Sequence, residues 1–392
     1  MEETMTNFKS VALAALMGVL SQGAVADEAF HIGAILPFSG PYAFGGEAAK
    51  AGMQMAIDER GGKVLGVPIE VSWEDGEANP QVTLKKGTRL IADDVHLLVG
   101  EASSPATLAL SKLAGRRKVP LLNTISADER ITGSEGNRYT FRTSNDFGME
   151  TQMTISYYET ARPKSVYAVI PDVGAARDLW GKVKDSLPGL GIGVAGEDYP
   201  PLGNKDYAVI VNKIANSGAD SVLAVLAGGD AVNFIKQAGE VGLTGKVEIF
   251  GPTLLEELTA AAVGEASLGV FSGVRYHYSY KNEQNSKFVA AYKEKFGEVP
   301  SVFAGEAYDG LSWFLDTVEA TGSWDKEAWV DAFSGSTRDS SIEGVKTMRS
   351  CNNQAEQIGL MAVVGRGVGD QPELTMQIVE EFPADALFTD CP

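Results

Sequence analysis

Between His31 and Phe250, short apolar runs alternate with longer amphipathic stretches, and no motif constrains the chain as much as this pattern does. In a first series the spacing predicts strands at His31 to Leu36, Val67 to Trp73, Leu97 to Val99, Val119 to Leu122 and Tyr139 to Ser144. Helices fall between them: one opened by Gly45 and Gly46 and stopped by Gly61 and Gly62, one from Pro80 to Ala92, and one after Ser104. A second series follows. Its helices run from Phe147 to Ala161, Ala175 to Leu187, Lys205 to Asn216 and Ala231 to Val241. Its strands run from Ser165 to Ile170, Gly193 to Tyr199, Ser221 to Leu226 and Val247 to Phe250. Strands separated by helices mean βαβ units and parallel sheets. Two series predict an α/β protein of two doubly wound units in succession. Beyond them lie helices from Asn282 to Phe296, Phe303 to Thr321 and Asp325 to Phe333, then strands at Ile358 to Val364 and Leu374 to Phe382. No Pro/Ser-rich linker interrupts the chain, which predicts that ordered segments join the units.

Ligands of doubly wound sheets bind outside the carboxyl ends of the strands. Here those ends are Pro37 to Phe44, Gly100 to Ser104, Asn123 to Asp128, Pro171 to Ala176, Ala227 to Asp230 and Gly251 to Leu254. Two such faces opposed across a hinge make one cleft. The second of these loops is the most informative. Gly100 ends an apolar strand, Ser103 or Ser104 falls at the N-cap of the next helix, and Pro105 falls at its start. Ala106, Ala109, Leu110, Leu113 and Ala114 give that helix one apolar face. Unpaired backbone N–H groups, the positive end of the helix dipole and two hydroxyls converge there, a setting for a carboxylate. The alternative is a well-capped helix that binds nothing.

Other classes are disfavoured by residues and charge. The chain of 392 residues carries a formal net charge of −19 and no long basic cluster, which argues against nucleic acid. Its two cysteines and three histidines (His31, His96, His277) have no metal-site spacing, and no motif requires a cofactor. Gly-x-Ser-x-Gly, His-Glu-x-x-His, a Walker A loop and Cys-x-x-Cys do not occur. Gly191, Gly193 and Gly196 match a dinucleotide fingerprint but precede a strand, so the match fails its context. No nucleophile–base pair is evident, and the chain reads as a non-enzyme.

The N-terminus reads as an export signal, residues 1–26. Lys9 precedes an apolar run from Val11 to Leu20, and Ala24-Val25-Ala26 forms a small-x-small cleavage site. Ten apolar residues are too few to span a bilayer. Export predicts a disulfide between Cys351 and Cys391, a closure contributing about 4 kcal/mol in the chain-entropy model.

Ile32 to Gly40, Gly100 to Thr107, Tyr139 to Thr143, Phe250-Gly251-Pro252 and Ala307 to Gly310 together resemble stretches of the Leu/Ile/Val-type periplasmic solute-binding proteins of ABC transporters. The resemblance covers nearly the whole mature chain. It implies two Rossmann-like lobes joined by three crossovers, the type I periplasmic binding protein architecture. Lobe 1 is expected at 28–146 plus 276–350, and lobe 2 at 147–275 plus 351–392. Carried over by position, the carboxylate donors match Ser104, with Ser103 beside it, and the loop containing Ser126, Ala127 and Asp128. Tyr42 and Phe44 match the wall of the first loop, and Phe303 an aromatic wall position. In lobe 2, Ala176, Gly228, Asp230 and Thr253 match the contact loops. One departure bears on the ligand: the glutamate that pairs with an amino acid's ammonium in the Leu/Ile/Val binders is replaced by Thr253. Asp128, Asp172, Asp230 or Glu256 could take its place; otherwise the ligand has no α-amino group.

The resemblance implies a periplasmic, non-enzymatic protein that captures a small carboxylate-bearing molecule and presents it to a membrane permease. The ligand range includes aromatic and other organic acids, amino acids, amides and urea. A ligand-sensing receptor domain of the same fold is the rival reading.

Overall fold

The computed structural model describes residues 29–40, 42–369 and 371–388. The expected signal segment 1–26 and Cys391 lie outside the described residues.

The first series forms a six-stranded sheet from β1 (Phe30–Leu36), β2 (Lys63–Val64), β3 (Val67–Asp75), β4 (Leu97–Gly100), β5 (Leu121–Asn123) and β6 (Thr140–Arg142). The order is β2-β3-β1-β4-β5-β6, parallel except for the short β2. The register sets Ile32 beside Val71 on one side and Leu97 on the other. The order reverses between β1 and β4, which is where such a sheet opens a crevice.

The second series supplies β7 (Ser165–Val169), β8 (Gly193–Asp198), β9 (Ser221–Ala224), β10 (Glu248–Pro252) and β11 (Phe271–Val274). A small antiparallel sheet follows from β12 (Thr337–Arg338), β13 (Lys346–Met348) and β14 (Ala355–Glu356). The last two strands, β15 (Gly359–Arg366) and β16 (Leu374–Phe382), add antiparallel to β11. The second sheet therefore reads β16-β15-β11-β10-β9-β7-β8, with its switch between β7 and β9. The chain crosses from sheet to sheet three times: after β6, after β11 and after β14. Two Rossmann-like lobes with a three-segment hinge are the result.

Helices α1 (Ala43–Glu59), α2 (Pro80–Ala92) and α3 (Ser104–Arg117) flank the first sheet. Helices α4 (Phe147–Ala161), α5 (Gly174–Ser186), α6 (Ala208–Ser217), α7 (Gly228–Glu240) and α8 (Glu257–Val263) belong to the second. Two later helices, α9 (Glu283–Phe296) and α10 (Val302–Thr321), return to the first lobe, where their apolar faces complete its core. The α1–α10 contact is unusually close. A Cβ on Gly52 would stand 2.0 Å from the carbonyl oxygen of Ala304, so only glycine permits this approach. The contact sets the N-terminal ends of the two helices side by side.

Several boundaries differ from the sequence expectation, α7 for instance starting at Gly228 rather than Ala231. Helix α1 starts at Ala43 rather than Gly45. Helix α6 starts at Ala208, because the carboxylate of Asp206 holds the N–H of Ala208 and the preceding residues form loop. The strand expected at Tyr139 to Ser144 is confined to Thr140–Arg142, where pairing with β5 is available.

Candidate functional site

The loops that follow the strands at both switch points hold the candidate site. Ser103 is the N-cap of α3, but its hydroxyl makes no capping bond; its N–H instead donates to Oε2 of Glu101 at 2.7 Å. Helical geometry then leaves the N–H groups of Ser104 and Ala106 without an intrahelical acceptor, and Pro105 has none to offer. The hydroxyl of Ser104 accepts from the N–H of Asp128 at 3.4 Å, which joins α3 to the loop after β5. Both serines are half-buried.

The loop 123–128 is a folded unit. The side chain of Asn123 accepts from the N–H groups of Ile125 (3.1 Å) and Ser126 (2.9 Å) and donates to the Ser126 carbonyl (2.9 Å). The Ser126 hydroxyl is spent internally, on the Glu101 carbonyl and on Thr107 Oγ1 at 2.6 Å. Ser126 therefore shapes the site through its backbone. Ala127 is buried, and its carbonyl accepts from the N–H of Phe147. Asp128 is paired with Arg130, the shortest contact being 2.6 Å. Burial raises its carboxyl, but the guanidinium bonded to it outweighs burial and holds it below the usual carboxylate range. A carboxylate so committed does not await an ammonium.

The aromatic wall is built by the α1–α10 contact. Phe44 and Phe303, one at the start of each helix, meet edge to face with ring centroids 5.6 Å apart. A Cβ on Gly45 would sit 3.6 Å from the Phe303 ring, so the backbone of the first loop lies directly against it. Phe44 and Tyr42 are each 39 % exposed, high for aromatic residues in a chain with a full core.

In the second lobe Gly228 opens α7 with φ +55°, and Asp230 lies in its first turn. The Asp230 carboxylate accepts one bond, from the N–H of Gly203 at 2.9 Å, yet it is only 8 % exposed. Burial pushes its carboxyl above the ordinary value. The Tyr42 phenol is pushed up by burial, then by the charges of Asp230 and Glu101. Residues of the two lobes thus share one electrostatic neighbourhood. Thr253 follows β10 with φ +55°, a strained conformation for a β-branched residue, and it donates its N–H to Gly273. Ala176 is buried in the core of its lobe, beside Trp180 and Leu179. Of the other acids considered, Asp172 is tied to Arg177 at 2.8 Å, and burial followed by the charge of Glu257 pushes Glu256 up to about 7. His277 stands outside this group: it is buried at the second crossover with Nε2 2.9 Å from Glu257.

Glu101 was passed over in the sequence. It follows the strand-ending Gly100, is fully buried, and has one carboxylate oxygen without a hydrogen-bond partner. Burial pushes its carboxyl up to about 7. The signal available in the sequence was a lone acid between an apolar strand and a capped helix. Arg142, fully buried, and Arg275, nearly so, bond to carbonyls of the 123–128 loop and were also passed over in the sequence.

No group of three or more His, Cys, Asp or Glu among the described residues forms a metal site. No helix among them is long and apolar enough to cross a membrane.

The periplasmic binding protein family model matches residues 29–367. A Leu/Ile/Val-binding protein homologue of Brucella melitensis is 29 % identical over 325 residues, 80 % of this chain and 82 % of the relative. Among solved structures, a solute-binding protein of an ABC transporter from Rhodopseudomonas palustris BisB5, in complex with 3,4-dihydroxybenzoic acid, superposes with a TM-score of 0.84. It is 26 % identical, with 91 % of this chain and 98 % of that one covered. A counterpart from Rhodopseudomonas palustris HaA2, in complex with p-hydroxybenzoic acid, is 27 % identical with a TM-score of 0.83, covering 91 % and 97 %. With two doubly wound lobes, loops gathered at both switch points and a family match across most of its length, this chain belongs to the periplasmic binding protein family and is a solute-binding protein of the ABC-transporter kind that takes small ligands.

Proposed function

We propose that the protein captures a small organic acid, aromatic acids foremost, in the cleft between lobe 1 (28–146 plus 276–350) and lobe 2 (147–275 plus 351–392), and delivers it to a permease from the periplasm. The observation that carries this reading is the pairing of two features on one lobe. The Phe44–Phe303 edge offers a flat apolar wall. The start of α3 offers backbone donors and the Ser104 hydroxyl to a carboxylate. Thr253 in place of an acid supports the same choice, because a buried ammonium without a partner is costly. The aromatic acids held by two of the solved relatives agree with it. Tyr42 of the first loop and Asp230 of the second lobe lie near enough to feel each other's charge and suit a ligand hydroxyl.

An amino acid is the second reading, and one observation favours it: Asp230 is a buried carboxylate with a single hydrogen bond. Calorimetric titration separates the two. Binding of 3,4-dihydroxybenzoate or 4-hydroxybenzoate, with none of leucine, is the expected result. Tight binding of leucine alone overturns the proposal.

A further inference from the structure

Three backbone carbonyls of the loop 125–128 end on two arginines, Arg142 fully buried and Arg275 nearly so. Arg142 donates through Nη1 to the carbonyls of Asp128 (2.7 Å) and Ser126 (3.3 Å). Arg275 donates through Nη1 to the carbonyl of Ile125 at 2.7 Å. A trans peptide directs its C=O and N–H in opposite directions. Holding the Ser126 carbonyl therefore turns the Ala127 N–H away from the arginine.

The same two side chains are anchored in the hinge. Arg142 is the last residue of β6, so it leads into the first crossover, and its Nη2 bonds Asp146 at 2.9 Å just before α4. Its Nε donates to Oε1 of Gln354, the residue that leads into β14 ahead of the third crossover, and Gln354 Nε2 returns to the carbonyl of Ser144 in the first at 2.8 Å. Arg275 begins the second crossover and is fixed by two bonds to Glu150 Oε1, 2.9 and 2.7 Å. The Arg142 side chain is fully buried and that of Arg275 is about 10 % exposed, so water is a poor substitute for these partners.

We propose that Arg142 and Arg275 are positioning residues that tie loop 125–128 to the first two crossovers and to the segment that leads into the third, so that seating a ligand on the loop and turning the hinge are one event. The connection rests on the reading of this cleft as the ligand site. Its physical basis is general. Hinge closure is absorbed by dihedral changes in a few connecting residues. Rigid hydrogen bonds from those residues to a ligand-facing loop make the loop's position depend on the hinge, and the reverse by linkage.

Hydrogen exchange on the full mature chain tests this without a ligand. In Arg275→Lys and in Gln354→Met, amides 125–128 are expected to exchange at least tenfold faster, while β4 keeps its protection. Gln354→Met removes no charge and serves alone if Arg275→Lys does not fold. Unchanged exchange at 125–128 in the variants overturns the proposal. A second arm adds 3,4-dihydroxybenzoate. In the wild type it is expected to protect the loop and the crossovers 143–146 and 275–278 together; in the variants it protects the loop alone. Joint protection in the variants overturns the coupling. Absence of protection in the wild type counts against the ligand class, and the ligand-free comparison then decides the coupling.

Discussion

Lys182 on α5 of the second lobe and Glu129 in the first lobe form an ion pair across the cleft, Nζ to Oε1 at 2.8 Å. Glu129 directly follows the 123–128 loop, so the pair spans the opening beside the candidate site. Both side chains are about half exposed, which limits what the contact contributes. Exposed pairs are worth about 0.2–1 kcal/mol.

Lys182→Ala is therefore expected to weaken ligand binding by a small factor, about two- to fivefold at low salt. Salt screens exposed charges, and the Debye length falls to about 3 Å at 1 M. Titrations of wild type and variant at low and high salt should converge as salt rises. A difference that persists at high salt means the lysine acts otherwise than as a cross-cleft ion pair.

Ser104→Ala removes the hydroxyl at the start of α3 that also receives the Asp128 N–H. Organic-acid affinity is expected to fall about ten- to a hundredfold, the worth of one hydrogen bond to a charged group, about 1.5–3 kcal/mol. Circular dichroism should show an intact fold. Undiminished affinity would place the carboxylate elsewhere in the cleft.

Gly52→Ala tests how the aromatic wall is built. The added methyl would meet the Ala304 carbonyl at 2.0 Å, and both partners are backbone within helices. Overpacking of this kind costs about 1–3 kcal/mol. The melting temperature should drop, and ligand affinity with it, because Phe44 and Phe303 are carried by the displaced helices. A variant as stable as the wild type would show that the helices separate without cost.

Glu101 makes stability depend on pH. Its carboxyl is raised from 4.5 to about 7 in the folded state, chiefly by burial. Between these values the folded chain holds a proton that the unfolded chain has released. Stability contributed by this group is full below about 4.5, falls as pH rises to about 7, and is then level. The amplitude is about 3 kcal/mol at most. Glu101→Gln keeps the shape without the titration. Melting scans from pH 5 to 8 should find the glutamine variant gaining on the wild type as pH rises. Parallel curves would rule out Glu101 as the titrating group.

The pairing of Cys351 with Cys391 is proposed from the export signal and the even count. Cys391 lies outside the described residues, but the ring of Phe388 sits 5.4 Å from the guanidinium carbon of Arg349, so the C-terminal segment returns to the vicinity of Cys351. Thiol titration of the denatured, unreduced protein should find no free thiol. Two free thiols would refute the pairing.

Periodicity determined the fold class. Apolar runs such as Leu97 to Val99 can be buried only as strands in a sheet covered on both faces, and the amphipathic stretches between them are the covers. The loops at the strand ends followed from the same pattern, which is why Ser104, Phe44 and Asp230 were legible as site candidates. Local chemistry also fixed the start of α3, since Pro105 has only one comfortable place in a helix.

Tertiary structure decided what those residues do. Asp128 and Ser126 looked available in the sequence; folding committed one to Arg130 and the other to Thr107 and the Glu101 carbonyl. The antiparallel addition of β15 to β11 joins segments about ninety residues apart, and strand pairing at that distance leaves no local trace. Arg142 and Gln354 are 212 residues apart, and Arg275 and Ile125 are 150 apart. Nothing near an arginine in sequence specifies which distant carbonyl it will reach. Burial decides it, because a desolvated guanidinium must find acceptors wherever the packed chain provides them.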